Sequence, residues 1–322
     1  MSSPSLKIAC IGECMVEFAP SKTQTYKKSF AGDTFNTAVY LKRQFGAQLD
    51  VSYVSALGCD SLSNEILLKM QQEGIETDMV RRLDGGKPGL YLIENDDDGE
   101  REFTYWRDTS AARSMFKNFS ANDIYQKLYS YDLIYLSGIT LAILDHGQRT
   151  ILLKALEKLQ DKCVIAFDPN YRPALWDDKV HCIEVFKRMA GLSNTLLSTY
   201  DDDLNLFGFS DLDTAAQRWL SWGSRVVVMK NGAWGCSVYT ADSQADITPP
   251  AKIKAVDTTG AGDSFCAGFL GAKLLGASVI DAATLGHKVA GQVIQFSGGV
   301  IAPEHWQSIV SKSEVNPNKV NR

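Results

Sequence analysis

The chain has 322 residues, of which 45% are hydrophobic and 22% are charged, and its formal net charge is −5. This composition is that of a globular protein with a large core, built as one large α/β domain with an appendage or as two domains. The acidic balance and the lack of long Lys/Arg runs argue against nucleic-acid binding, and no apolar run approaches the roughly 18 residues that a membrane span requires.

The sequence also bears on the compartment. Residues 1–13 lack the layout of a signal peptide, because their apolar stretch is short and Glu13 interrupts it. The seven cysteines are scattered without a C-x-x-C pair, and the four histidines form no metal-binding spacing. We therefore interpret the cysteines as small buried side chains in a reducing environment and predict a cytoplasmic protein.

Apolar strand-like runs alternate with helical patterns through most of the chain. In chain order the patterns predict strand 6–12, helix 34–45, strand 51–57, helix 62–73, strand 133–136, helix 146–159, strand 164–168, helix 180–190, strand 196–198, helix 212–222, strand 226–230, and helices 264–275 and 280–296. Continuous apolar strands between helices are typical of a parallel sheet that is covered on both faces. The predicted fold class is therefore α/β, with a mostly parallel sheet between two helical layers.

Two regions, 15–30 and 80–107, interrupt this alternation with extended segments that no predicted helix separates. The segments are 16–19, 89–94 and 102–106, and the acidic turn 95–100 joins the last two as a hairpin. They predict a small β-sheet that serves as a lid over an active site. Its exposed strand edges make pairing with a second copy of the chain a candidate arrangement. We predict one domain over residues 1–311 that includes these lid segments, and a frayed tail over 312–322.

The most informative motif is Asp-Thr-Thr-Gly-Ala-Gly-Asp-Ser-Phe at 257–265, which precedes an apolar helical pattern. Gly260 and Gly262 allow a sharp bend and the close approach of a ligand, and the free N–H groups of a helix start attract an anion such as phosphate. Asp263 would repel a resting phosphate, and one reason for a carboxylate at this position is to act as a general base for an attacking hydroxyl. A simple helix N-cap is the alternative interpretation of this aspartate.

A second polar cluster, residues 31–38, opens the predicted helix that begins at 34. Gly32 allows close approach, while Asp33 and Asn36 place an acceptor and a donor on one helical face. Such groups suit the hydroxyls of a sugar. Helix capping by Asp33 or Thr34 is the alternative explanation of the same pattern.

Two further clusters contain arginine. Tyr105-Trp106-Arg107 ends a predicted lid strand, where an aromatic side chain can stack on a sugar and an arginine can neutralise an anion. Asn170 and Arg172 follow a predicted buried strand, and the carboxyl ends of parallel strands line the ligand crevice of open α/β sheets. Two arginines at strand ends indicate a substrate that carries its own negative charge.

The motif at 257–265 closely resembles the C-terminal signature of the ribokinase (PfkB-type) family of small-molecule kinases. The cluster at 31–38 resembles the family's N-terminal signature, with Ala31 in place of its first glycine. This resemblance, which extends over residues 6–305, implies a ribokinase-like fold in which the N-terminal motif binds the sugar. In the family the C-terminal motif supplies the anion hole and the catalytic base, which here would be Gly260, Ala261, Gly262 and Asp263.

Within this family, the strings at 11–15, 32–38, 88–91, 99–107, 135–144 and 170–176 resemble those of 2-keto-3-deoxygluconate kinases, whose substrate is a sugar acid. That substrate class agrees with two arginines that bind an anion. By resemblance, the residues that bind the sugar acid are Gly32, Asp33, Thr34, Phe35, Asn36, Tyr91, Tyr105, Trp106, Arg107, Arg172 and Asp263. Those that bind ATP are Asn170, Tyr171, Arg172, Lys230, Asn231, Gly232, Ala233, Trp234, Gly235, Gly260, Ala261, Gly262 and Asp263.

ATP and Mg²⁺ are the cofactors that the resemblance implies, and a monovalent cation such as K⁺ is a further candidate. Many family members carry Asn-x-x-Glu, an element that places Mg²⁺-bound water, where this chain has residues 199–203. Tyr200 and Asp203 occupy those two positions, so Asp203 is the candidate metal residue, acting through water.

We therefore predict an enzyme that transfers the γ-phosphoryl group of ATP to the terminal (6-) hydroxyl of 2-keto-3-deoxygluconate, with Asp263 as general base. The nearest alternative is a kinase of the same fold that acts on fructose, ketodeoxygalactonate or another sugar. A non-catalytic sugar-acid sensor is a second alternative, which the intact Gly-Ala-Gly-Asp motif disfavours. A nucleotide-binding dehydrogenase is the third, and the missing G-x-G-x-x-G fingerprint disfavours it.

Overall fold

A computed structural model of the chain describes residues 5–21, 25–95, 101–208 and 211–307. The predicted tail at 312–322 and most of the predicted acidic turn, 96–100, lie outside the described residues. Within them the chain forms two β-sheets. The strands, in chain order, are β1 (Leu6–Ile11), β2 (Met15–Pro20), β3 (Tyr26–Ala31), β4 (Leu49–Leu57), β5 (Val80–Arg82), β6 (Leu90–Asn95), β7 (Arg101–Trp106), β8 (Leu133–Ser137), β9 (Val164–Asp168), β10 (Thr195–Thr199), β11 (Val226–Lys230), β12 (Cys236–Tyr239) and β13 (Gln244–Ile247).

The larger sheet has nine strands in the order β13-β12-β11-β10-β9-β8-β1-β4-β5. All neighbours from β11 to β5 pair in parallel, and the β11–β12 and β12–β13 pairs are antiparallel. The central strands are apolar and closed off from solvent, as in β8, where every residue is buried. The prediction of a mostly parallel sheet is confirmed.

Helices cover both faces of this sheet. Within the described ranges the α-helices are α1 (Asp33–Phe45), α2 (Ser61–Gln72), α3 (Ala121–Leu128), α4 (Gly138–Ile143), α5 (His146–Leu159), α6 (Lys179–Leu192), α7 (Tyr200–Phe207), α8 (Leu212–Ser221), α9 (Ala261–Leu274) and α10 (Val279–Val293). No helix in the described part of the chain is both long and apolar enough to cross a membrane.

Successive residues of β1 point to opposite sides of the sheet. Ala9 and Ile11 belong to a hydrophobic core that includes side chains of α5 and α6, whereas Ile8 and Cys10 belong to a second core that includes side chains of α1 and α9. Each face therefore buries its own core, as the predicted fold class requires.

The smaller sheet has four strands in the order β3-β2-β6-β7. β6 and β7 form the predicted hairpin, with Leu90 opposite Trp106 and Asn95 opposite Arg101. The prediction that this lid begins at residue 80 is wrong, because Val80–Arg82 pairs with β4 in the larger sheet. The reason is that α2 carries the chain back over the larger sheet, so that the strand after it pairs in parallel with the strand before it.

Helix α9 is packed closely against its neighbours through glycine. A Cβ atom on Gly268 would lie 2.9 Å from the Cα of Gly286 on α10. A Cβ atom on Gly271 would lie 2.1 Å from the ring of Phe45 on α1. Only glycine fits at these contacts, so α9, whose first turn carries the Gly-Ala-Gly-Asp motif, is held at two points along its length.

Candidate active site

A cleft of about 850 Å³ lies between the smaller sheet and the carboxyl ends of β1, β9, β10 and β11. Its lining comes from both sequence motifs, from the lid and from these strand ends. Most of the lining residues are Glu13, Met15, Gly32, Asp33, Asn36, Tyr91, Phe103, Tyr105, Arg107, Ile139, Asp168, Asn170, Arg172, Thr199, Asp201, Asp202, Lys230, Gly260, Gly262, Asp263 and the segment 255–259. The two motifs, which lie at opposite ends of the sequence, therefore meet in one cavity.

The glycine-rich motif forms the start of α9. Gly260 has a left-handed backbone (φ 75°), and a Cβ atom there would lie 2.6 Å from the carbonyl oxygen of Gly299, so only glycine fits. The N–H groups of Gly262 and Asp263 lie in the first helical turn, where no intrahelical acceptor exists. Both residues line the cleft. The helix start is therefore arranged to receive an anion.

Asp263 is held from the other motif. Asn36 Nδ2 donates a hydrogen bond of 2.8 Å to Asp263 Oδ2. Burial raises the pKa of Asp263, the charge of Asp33 raises it further, and the hydrogen bond from Asn36 opposes both, so that the pKa is about 7. A carboxylate with this pKa is largely ionised in mildly alkaline solution and is still basic enough to take a proton, as a general base must be.

The alternative interpretation of these aspartates as helix caps is wrong. The N-cap of α1 is Gly32 and that of α9 is Gly260, so neither Asp33 nor Asp263 occupies the capping position. Thr34 lies inside α1, where its hydroxyl is 2.9 Å from the hydroxyl of Tyr53. Both aspartates line the cleft, and Asp33 Oδ1 also accepts a hydrogen bond of 2.8 Å from the backbone N–H of Thr34 in the first turn of α1.

Asp33 and Asn170 connect the N-terminal motif to the end of β9. Asn170 Nδ2 donates to Asp33 Oδ2 at 2.9 Å, and the Asn170 backbone N–H donates to Asp168 Oδ1 at 3.1 Å. Asn170 has a φ of 35°, which asparagine adopts more readily than most residues. This turn directs both Asn170 and Asp168 to the cleft.

A buried ion pair lies beside the start of α9. Lys230 Nζ donates to Asp168 Oδ2 at 2.7 Å. Burial disfavours the charged ammonium, but the interaction with Asp168 outweighs it and raises the pKa of Lys230. A Cβ atom on Gly262 would lie 3.6 Å from Lys230 Nζ, so this positive charge adjoins the first turn of α9.

The lid contributes aromatic side chains and a second buried ion pair. The Tyr91 hydroxyl donates to Glu17, and Arg107 Nη2 donates to Glu13. All four of these side chains are buried. The half-exposed ring of Tyr105 has its centre 5.8 Å from the Arg107 guanidinium. These contacts fix the lid side chains that border the cleft.

Arg172 is the most accessible cation of the cleft. Its side chain is 49% exposed, and Nη1 lies 3.0 Å from Oδ1 of Asp202. Asp202 lies in the first turn of α7, directly after β10, together with Asp201. Both carboxylates line the cleft.

The structure does not bring Asp203 into the cleft. Its carboxylate accepts hydrogen bonds from Ser198 Oγ at 2.7 Å and from Trp219 Nε1 at 2.6 Å, and the residue is 1% exposed. Burial raises the pKa of Asp203 to about 7. Its role in placing metal-bound water stays a prediction, and Asp201 and Asp202 are the carboxylates of this helix that face the cleft.

Other predicted site residues also lie outside the lining. Residues Thr34, Phe35 and Tyr171 are buried in the protein core. Successive side chains of a strand point to opposite faces of the sheet. Tyr105 and Arg107 line the cleft, whereas Trp106 between them does not and is 56% exposed. The other predicted site residues that do not line the cleft are Asn231, Gly232, Ala233, Trp234, Gly235 and Ala261.

Several carboxylates of the cleft were not predicted. Glu13 follows β1, Asp168 ends β9, and Asp201 and Asp202 follow β10. The signal that could have found them is their position at the carboxyl ends of parallel strands, which is where open α/β sheets bind ligands.

A mostly parallel α/β sheet, a β-lid over a cleft, and a glycine-rich helix start beside an aspartate are the features that the resemblance to small-molecule kinases predicts. Residues 5–306 match the model of a family described as "pfkB family carbohydrate kinase". The chain belongs to this family, as the resemblance predicts.

Relatives of known name match most of the chain in sequence. A 2-dehydro-3-deoxygluconokinase of Dickeya dadantii is 44% identical over 92% of this chain and 97% of its own length. One of Escherichia coli K12 is 41% identical over 93% of this chain and 98% of its own length. A fructokinase of Rhizobium leguminosarum is 29% identical over 82% of this chain and 78% of its own length.

Solved structures share the fold at lower identity. A PfkB protein from Polaromonas sp. JS666 superposes with a TM-score of 0.78 at 24% identity, covering 90% of this chain and 96% of that one. A fructokinase with bound ATP from Xylella fastidiosa superposes with a TM-score of 0.79 at 18% identity, covering 91% of this chain and 93% of that one. They confirm the predicted ribokinase-like fold.

Proposed function

We propose that this protein is an ATP-dependent kinase of 2-dehydro-3-deoxygluconate, also called 2-keto-3-deoxygluconate, and that it phosphorylates the terminal (6-) hydroxyl. The observation that carries the proposal is the contact between Asn36 and Asp263, which joins the N-terminal motif to the anion-binding start of α9. The relatives at 41–44% identity support the choice of substrate.

The sugar acid binds on the lid side of Asp263. Asp33 and Asn36 supply an acceptor and a donor for its hydroxyls, and the rings of Tyr91 and Tyr105 border it from above. The two cleft arginines are the partners of its carboxylate, and the more exposed one, Arg172, can move toward it most freely.

ATP binds on the other side of Asp263. Its phosphates lie at the N–H groups of Gly262 and Asp263, next to the ammonium of Lys230. The nucleoside extends over the end of β11 toward the turn at 231–235, where the Trp234 ring is 82% exposed. The predicted nucleotide role of this turn belongs to the same proposal.

The chemical step is an in-line displacement at the γ-phosphorus. Asp263 takes the proton from the 6-hydroxyl, the oxygen forms a bond to the γ-phosphorus, and the bond from that phosphorus to the bridging oxygen of ADP breaks. The N–H groups at the helix start and Lys230 stabilise the oxygens on which charge spreads. The lid excludes water, which would otherwise accept the phosphoryl group.

The donor set of the cleft fits Mg²⁺. Its described lining contains seven carboxylates but only three cations, and oxygen ligands are those that Mg²⁺ prefers. No cluster of three or more metal-ligating side chains occurs among the residues described, so the metal would bind jointly to nucleotide phosphates and to Asp201 or Asp202. When bound it supplies neutralisation of phosphate charge. A requirement for K⁺ stays a prediction, tested by replacing K⁺ in the assay with tetramethylammonium.

The proposed activity is tested by ADP release from ATP and Mg²⁺ with five acceptors: ketodeoxygluconate, ketodeoxygalactonate, gluconate, fructose and ribose. We expect the highest kcat/KM with ketodeoxygluconate. Activity on fructose or ribose alone would replace the proposal with a neutral-sugar kinase. Binding of the sugar acid without any ADP release would replace it with a sensor.

We also infer that two copies pair through the lid. β3 and β7 are the two edges of the smaller sheet, and the β7 side chains Phe103, Tyr105 and Trp106 are 39%, 49% and 56% exposed. Unpaired strand edges beside exposed aromatic side chains favour association. Light scattering of the wild-type protein should give the mass of a dimer. The substitution Trp106→Lys should lower the measured mass toward that of a monomer. A monomeric wild-type protein would contradict the inference.

A further inference from the structure

Every cation that lines the cleft in the described structure is already paired with a carboxylate that lines it too. The side chains of each pair, with their exposed fractions, are Arg107 and Glu13 at 6% and 1%, Lys230 and Asp168 at 9% and 4%, and Arg172 and Asp202 at 49% and 21%. An anionic substrate that enters the cleft therefore has to compete with a carboxylate for its partner.

The three pairs differ in how readily they open. Removing one partner from a buried ion pair leaves an uncompensated charge and costs roughly 3–5 kcal/mol, which protects the pairs of Arg107 and Lys230. The pair of Arg172 and Asp202 is partly exposed, so its contribution is nearer to the roughly 0–1 kcal/mol of a surface pair, and it opens at a lower cost than the other two. The carboxylate of a sugar acid therefore competes most effectively for Arg172.

Arg172 also lies between the two halves of the cleft. Arg172 lines the same cleft as the lid residues Tyr105 and Arg107. Its present partner, Asp202, belongs instead to the start of α7, on the side where ATP and its metal would bind.

We propose that Arg172 exchanges partners during substrate binding: it leaves Asp202 for the carboxylate of the sugar acid, and the freed Asp202 becomes a ligand for the metal that enters with ATP. This inference rests on the proposed function. Each substrate then improves the site of the other, and by reciprocity the two affinities rise by the same factor. A neutral sugar cannot draw Arg172 away, so the exchange also selects for an acid.

The exchange is tested with Asp202→Asn, measured by calorimetry with ketodeoxygluconate alone, without nucleotide or metal. Because the competing carboxylate is gone, we expect the variant to bind the sugar acid about two- to fivefold more tightly than the wild type, the range of an exposed ion pair. The matched control is Asp201→Asn, which removes the same charge one residue away, outside the pair with Arg172, and should gain less. If Asp202 served only the metal, the metal-free affinity for the sugar acid would not change.

A second measurement uses the wild-type protein and does not depend on any variant. Mg²⁺ with a non-hydrolysable ATP analogue should tighten the binding of ketodeoxygluconate by about the same two- to fivefold, and should leave the binding of its uncharged carboxamide analogue unchanged. An equal response of acid and amide would overturn the exchange, as would an unchanged or weaker affinity in Asp202→Asn. A wild-type protein that binds no ketodeoxygluconate would instead refute the proposed function.

Discussion

Replacing Asp263 with asparagine should have two opposite effects, on the reaction and on the fold. Asparagine keeps the shape of the side chain and can still accept the hydrogen bond that Asn36 now donates at 2.8 Å. It cannot take a proton, so kcat should fall by roughly 10²–10⁴-fold, the usual contribution of a general base. ATP should still bind, because the helix-start N–H groups remain.

The effect on stability follows from the raised pKa. The pKa of Asp263 is about 7 in the fold against an ordinary value of 3.8, which corresponds to roughly 4 kcal/mol of destabilisation when the carboxylate is ionised. Between these two pKa values the folded state binds a proton that the unfolded chain does not. This site therefore makes the wild type less stable as the pH rises from about 4 to about 7, and Asp263→Asn removes that loss.

Urea unfolding at pH 8 and pH 5, together with kcat from a coupled ADP assay, measures both effects. We expect Asp263→Asn to be more stable than the wild type at pH 8, by an amount that shrinks by roughly 2–3 kcal/mol at pH 5. Asp201→Asn, at an exposed carboxylate of the same cleft, should stay within about 0.5 kcal/mol of the wild type at both pH values. A nearly normal kcat would refute Asp263 as the base, and the absence of stabilisation at pH 8 would refute the electrostatic argument.

Three further substitutions test individual contacts. Asp33→Asn removes a charge that raises the pKa of Asp263. The acidic limb of the plot of kcat/KM against pH should therefore move to lower pH. An unchanged midpoint of this limb would contradict the interaction between the two aspartates. Asp203→Asn should lower Tm, because both oxygens of the buried carboxylate accept hydrogen bonds. It should leave the Mg²⁺ concentration for half-maximal activity unchanged. A several-fold rise in that concentration would instead support the predicted metal role. Arg107→Met should cost roughly 3–5 kcal/mol of unfolding free energy by leaving Glu13 unpaired, and should raise KM for the sugar acid more than for ATP. Adding Glu13→Gln should recover part of that loss, and purely additive losses would argue against the pair.

The long, strongly patterned elements could be predicted from the sequence, and the short ones could not. Helix α5 begins and ends where the apolar period predicts, at His146 and Leu159, and β9 spans the predicted Val164–Asp168. α3, α4 and α7 have eight residues or fewer, which is too little for a helical period to show. The pair β12–β13 has four residues in each strand and was missed for the same reason.

Site residues that belong to a sequence motif, such as Asp263, could be predicted. Residues whose place in the cleft depends on the direction of the side chain could be predicted less well. One residue along a helix turns a side chain by about 100°, and this separates Asp202 in the cleft from Asp203 in the core. The pairing of Arg107 with Glu13 joins residues that are 94 positions apart, and no local pattern encodes it. Charge complementarity between distant strand ends becomes visible only once the fold brings them together.

The glycine contacts of α9 carry a consequence for remote mutations. Gly271 lies about 12 Å along the helix from Asp263, yet even a methyl group there would collide with the ring of Phe45. If the helix moves as a rigid body, the collision would shift Asp263, the proposed base, and a misplacement of about 1 Å can cost 10²-fold in rate. Inactivating substitutions in this protein should therefore include the glycines by which α9 contacts α1 and α10, away from the cleft lining, in variants that still fold and bind both ligands.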